Sequence, residues 1–147
     1  MTYWRTLLLD LLLLVFLCSN VFSQNQQKRG PSTPEERAKA VQIARALEGD
    51  PLQPDSKDMR EWFTLWLIEV PDISIQVCGD ELGPVFRQKD RDKNFVTEIF
   101  SQSMFSAASF VIEHPGEAKN PIPIYTAGVE GSLKAYQSIL KTHPEAK

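Results

Sequence analysis

Four prolines, Pro51, Pro71, Pro115 and Pro144, each close a stretch in which apolar residues recur every three or four positions. Proline has no N–H to give a helix and pushes the residue before it into extended geometry, so each of the four marks a helix end. Between them the apolar period is that of a helix, and only one short run alternates with the period of a strand. The pattern predicts an all-α fold. We expect a compact bundle of about four helices, at about 34–48, 55–70, 92–114 and 123–142, with an irregular connector at 71–90.

The first two helices carry clear start signals. Thr33-Pro34-Glu35-Glu36 supplies a capping hydroxyl, a proline at the first helical position and a glutamate that can bond back to the cap. Ala40, Ile43, Ala44 and Leu47 then form one apolar stripe, which Gly49 and Asp50-Pro51 should stop. The second helix should begin at Asp55, whose carboxylate can cap it, and bury Met59, Trp62, Phe63, Trp66, Leu67 and Val70. Burying a large aromatic side chain is worth roughly 2 to 3 kcal/mol. Trp62, Phe63 and Trp66 therefore either anchor the core or form an exposed platform, and in the second case Trp62 and Trp66 are the candidate partner surface.

In the third helix the stripe reads Val96, Ile99, Phe100, Ser103, Ala107, Phe110 and Val111. In the fourth it reads Tyr125, Val129, Ser132, Leu133, Tyr136, Ile139 and Leu140. Gly128 and Gly131 lie inside that last helix, where each costs about 1 kcal/mol against alanine. Close helix approach would explain them, with Gly128 and Ser132 meeting Ser103 and Ala107; the alternative is space for a ligand between helices. Ser109-Phe110-Val111 and His114-Pro115 are echoed 29 residues on by Ser138-Ile139-Leu140 and His143-Pro144. Both histidines thus fall at helix C-termini, where the helix dipole favours an imidazolium.

The connector holds the one chemically suggestive turn, Cys78-Gly79-Asp80-Glu81. Ile73 to Val77 alternates as a strand would, but no second segment offers it a partner, so turns or an extended link are expected. A nucleophilic cysteine needs a base and a depressed pKa, and both histidines are distant in sequence. Adjacent carboxylates beside one thiol also lack a recognised metal spacing. The turn supports an alternative reading, a small enzyme or ligand-binding domain centred on Cys78, Asp80 and Glu81, with Glu130 from the last helix. No metal or cofactor is expected.

Residues 1–23 read as an export signal. A short basic start at Arg5 precedes the apolar Leu7 to Cys18, broken by Asp10, and Val21-Phe22-Ser23 suits cleavage between Ser23 and Gln24. The unbroken apolar run from Leu11 to Cys18 is far short of the roughly 20 residues a membrane span requires. Bulky Phe16-Leu17 ahead of Cys18 disfavours lipidation. Residues 24–32 then form a flexible spacer and 33–147 a single helical domain, periplasmic or secreted and without a stable membrane anchor. The mature chain would keep 15 basic and 18 acidic residues, a net charge of −3, and one cysteine. An acidic balance argues against a nucleic-acid partner. Arg87, Lys89, Arg91 and Lys93 are interleaved with Asp90 and Asp92, as in a solvated loop.

Ser132 to Pro144 resembles the second helix of a tetratricopeptide repeat: a small residue, an aromatic four later, an apolar three later and a proline beyond. The helix-ending prolines are not spaced by that family's period of about 34 residues. The mature region also resembles small exported helical proteins of bacteria, through Glu69-Val70-Pro71-Asp72, Ile112-Glu113-His114-Pro115 and Ala127-Gly128-Val129-Glu130-Gly131. That resemblance carries no activity and no site residues. The function expected is non-enzymatic binding of a protein or peptide.

Overall fold

The structure, a computed structural model, describes residues 29–76 and 95–146. Among the described residues four α-helices follow one another, α1 (Pro34–Gly49), α2 (Ser56–Glu69), α3 (Val96–Glu113) and α4 (Pro121–Thr142), with a short 3-10 turn at Pro115–Glu117 ahead of α4. The fold is all-α, and no strand occurs among the described residues. Of the expected connector, residues 71–76 are irregular and the remainder lies outside the described residues.

The capping box of α1 forms in full. The Thr33 hydroxyl accepts from the Glu36 N–H at 3.2 Å, and the Glu36 carboxylate accepts from the Thr33 N–H at 2.9 Å. Ala40, Ile43, Ala44 and Leu47 are buried together. Gly49 is the last helical residue rather than a left-handed stop; Asp50, non-helical at φ/ψ −144°/86° ahead of Pro51, ends the helix. At α2 the expected cap is absent. Asp55 holds the capping position, but its carboxylate makes no capping hydrogen bond, because its backbone is not in the extended conformation that aims the side chain back at the helix.

α3 occupies the middle of the bundle, packed most extensively on α4, then on α1, and touching α2. It starts at Val96, behind Phe95, whose φ of 53° is left-handed; residues 92–94 lie outside the described set. A helix enclosed on several sides buries more than one stripe. Gln102, Phe105 and Ser109 are therefore buried beyond the expected face, while Phe100, Ser103 and Phe110 are only half-buried.

α4 starts two residues earlier than expected, with the Asn120 carboxamide oxygen accepting from the Ile122 N–H at 3.3 Å and Pro121 at the first helical position. Its buried face is also rotated from the expected one. Ile124, Gly128, Gly131, Ser132, Ala135 and Ile139 point inward, whereas Val129 and Leu133 point out. Small side chains let α3 and α4 approach closely, and the larger ones are left on the far side. Both helices end alike: His114 and His143 take φ/ψ of −128°/65° and −133°/70°, and each backbone N–H donates over 2.8 Å to the carbonyl four residues back. The ring of His114 stacks on Phe110 and that of His143 meets Phe95 edge-on.

Residues 29–32, inside the stretch expected as a spacer, are tied to the helices. Ser32 is buried, its N–H and hydroxyl donate to the two oxygens of Asp72 at 2.8 and 2.7 Å, and Arg37 donates to Asp72 at 2.7 Å. Arg29 pairs with Glu36 and, at 3.4 Å, with Glu69.

Candidate functional site

The aromatic residues of α2 divide between core and surface. Trp66 is only 3% exposed and Phe63 is fully enclosed, so Trp66 is core and not the partner surface expected of it. Phe63 stacks on Phe105 of α3 with 4.2 Å between ring centroids and meets Trp66 edge-on. The Trp66 indole N–H lies toward the Glu36 carboxylate without making a hydrogen bond of ordinary geometry. Trp62 remains half-buried, stacked on Trp66 on one face and covered by Lys39, whose ammonium sits 4.0 Å from the ring centroid.

Trp62 also edges an open groove of about 410 Å³ between α1 and α2. Ile43, Ala46 and Met59 supply its apolar lining, and Lys39, Gln42, Asp55 and Asp58 its polar lining. Arg60 holds the start of α2 in place by donating to the Pro51 carbonyl at 2.8 Å and to the Ser56 hydroxyl at 3.2 Å. Asp55 and Asp58 are exposed, and among the described residues neither carboxylate has a hydrogen-bonding or ionic partner. Asp58, an acid in the first turn of α2, is not singled out by sequence; its place beside Asp55 on the groove depends on how α2 packs.

The most connected polar cluster lies where α1, α3 and α4 meet. Glu48 is buried and accepts from the Ser106 hydroxyl at 2.8 Å, from Arg45 at 3.1 Å and from Lys134 at 3.3 Å. Gln102, almost fully enclosed, donates to Ser106 at 2.9 Å and to the Ala44 carbonyl at 3.1 Å. Arg45 reaches on to Glu113 at 2.8 Å; partial burial works against its charge, but the carboxylates of Glu48 and Glu113 outweigh that and hold its pKa above the ordinary value. Ser106 is enclosed, 3% exposed, with the backbone of Gly131 lying directly against its hydroxyl. The cluster locks three helices together.

The glycine positions show how closely α3 and α4 approach. A β-carbon on Gly128 would lie 3.0 Å from the Ser103 carbonyl oxygen and 3.6 Å from the Ala107 β-carbon. Ser132 meets α3 one turn away from Ser103, where its hydroxyl donates to the Ile99 carbonyl at 2.9 Å. The helices leave no room there for a ligand.

Cys78, Asp80 and Glu81, like the cleavage pair Ser23 and Gln24, lie outside the described residues, and Glu130 points into solvent. Among the described residues no group of three or more His, Cys, Asp or Glu side chains is placed to hold a metal ion. No described helix is long and apolar enough to cross a membrane. Large apolar side chains do reach solvent, Leu65 and Ile68 on α2 and Ile122, Val129 and Leu133 on α4. The chain matches no family model, no curated protein and no solved structure.

Proposed function

We propose that this chain is an exported, non-enzymatic helical module that binds a protein or peptide in the groove between α1 and α2. The observation that carries this reading is Trp62, half-buried at the edge of an open, partly apolar groove that no described residue fills. An aromatic ring already fixed by Trp66 and Lys39 loses little freedom when a partner packs on it, and rigid aromatic anchors of this kind concentrate binding energy. Export rests on the sequence of residues 1–23 alone.

A photocrosslinking residue placed at Gln42, on the groove, and another at Glu117, on the 3-10 turn, tests the binding reading in the native host. A crosslinked partner recovered from the first position and not from the second supports it; equal recovery from both, or from neither, counts against it. Mass spectrometry of the purified protein tests export. The expected N-terminus is Gln24, and an intact Met1 overturns that assignment.

A further inference from the structure

We infer that the groove between α1 and α2 takes a cationic side chain, a lysine or arginine of the bound peptide, with its aliphatic stem along Ile43, Met59 and Trp62 and its charged head at Asp55 and Asp58. This rests on the reading of the groove as the binding site and adds the chemistry of its occupant.

The two carboxylates are the first reason. Asp55 stands at the capping position of α2 and Asp58 three residues on, where a back-bonding acid would close a capping box, yet neither bonds to the helix and neither has an ionic partner among the described residues. Carboxylates three apart on one helix face repel each other, and a cation between them relieves that repulsion. The lining is the second reason. Lysine and arginine carry apolar stems that cover greasy surface while the head stays polar, which matches an apolar groove flanked by acids. The third reason is Lys39. Its ammonium already lies over Trp62, so the geometry that attracts a cation to this ring exists within the domain. An incoming head group meets Lys39 as a competitor and the two aspartates as partners. An anionic ligand would face both carboxylates, and Lys39, the one cation among the described lining residues, is engaged with Trp62.

The test is calorimetric titration of the mature protein with three blocked pentapeptides, Ala-Leu-X-Leu-Ala, in which X is arginine, norleucine or glutamate. Norleucine keeps an apolar stem and removes the charge. The arginine peptide should bind about tenfold more tightly than the norleucine peptide, a margin within what two exposed ion pairs supply together, and the margin should shrink in added salt. The glutamate peptide should not bind. The D55N/D58N double variant should lose the margin while still unfolding cooperatively within a few degrees of the parent, because neither carboxylate has a side-chain partner to lose and only the helix-dipole contribution goes. Lys39→Met should tighten the arginine peptide. Equal affinity of the arginine and norleucine peptides overturns the cationic assignment and leaves the groove as a binding site. Failure of all three peptides to bind overturns the groove itself.

Discussion

Gly131 of α4 lies so close to Ser106 of α3 that a β-carbon there would fall well inside contact distance of both the hydroxyl oxygen and the β-carbon of the serine. Two effects oppose each other in a Gly131→Ala variant. Alanine gains about 1 kcal/mol of helix propensity, but overpacking a tight contact costs about 1 to 3 kcal/mol or more. The Ser106 hydroxyl could rotate aside; its β-carbon cannot. Overpacking should win, so thermal unfolding of Gly131→Ala is expected several degrees below the parent, with partial recovery when Ser106→Gly is added. A variant as stable as the parent would refute the close approach.

Gly49 gives the opposite sign. A β-carbon there meets nothing within 4 Å, and the backbone is not left-handed. Gly49→Ala should raise stability by roughly 0.5 to 1 kcal/mol, chiefly by restricting the unfolded chain. Urea midpoints compared at unchanged slope would show it, and a fall in midpoint would contradict the helical geometry assigned to this residue.

Glu48 accepts from three side chains that come from three helices, Arg45, Ser106 and Lys134. Glu48→Ala leaves the Ser106 hydroxyl buried without its acceptor and should cost about 1 to 3 kcal/mol. Glu48→Gln keeps an acceptor for Ser106 and should cost less. Equilibrium urea unfolding separates the two, and a Glu48→Ala variant within experimental error of the parent would show the cluster to be energetically neutral.

At the other end of α1, acid should loosen the tie between Ser32 and Asp72. Partial burial raises the Asp72 pKa, but the N–H and hydroxyl of Ser32 and the Arg37 guanidinium act the other way and outweigh it, holding the carboxyl below its ordinary value. A depressed folded pKa gives stability that is fully present above the unfolded value, about 3.9, and is lost as pH falls through the folded value. Asp72→Asn should therefore be less stable than the parent near neutrality, and the gap should close as pH falls below the unfolded value. Melting curves across that range test it; a gap that widens on acidification would reverse the assigned sign.

The rotated face of α4 predicts two unequal substitutions. Leu133 is 53% exposed and Ile139 is 1% exposed. Leu133→Ser should change stability by no more than about 0.5 kcal/mol, whereas Ile139→Ala should cost about 2 to 5 kcal/mol. Comparable losses from both would restore the face read from hydrophobicity alone.

That face shows where sequence stops being informative. The four helices were legible because caps and helix-ending prolines act through the chain's own backbone, and the Thr33 to Glu36 box is local chemistry. Which side of a helix is buried depends on its neighbours. On α4 the large residues Val129 and Leu133 dominate the apolar pattern, yet α3 selects the small ones, since only Gly128, Gly131 and Ala135 permit its approach. Gln102 escaped notice for the related reason that a polar residue is buried only when a tertiary partner satisfies it. The candidate groove was half legible. Trp62 and Trp66 stood out as aromatic, but only the packing of α2 against α1 and α3 decides that Trp66 closes the core while Trp62 edges a groove. Asp55 misled because its residue type suits a cap that its backbone does not form.

The pairing of α3 with α4 also bears on how the chain reaches this structure. These helices are consecutive and joined by a link of seven residues, His114 to Asn120, so little loop entropy opposes their meeting. The contacts of α1, such as Gln102 to Ala44 and Ser106 to Glu48, span 58 residues and close a much longer loop. An α3–α4 hairpin is thus the natural nucleus, with α1 docking on it afterwards. Substitutions at Gly128 or Gly131 should then slow refolding, while those at Ala44 or Glu48 should mainly hasten unfolding, a kinetic asymmetry within a single core.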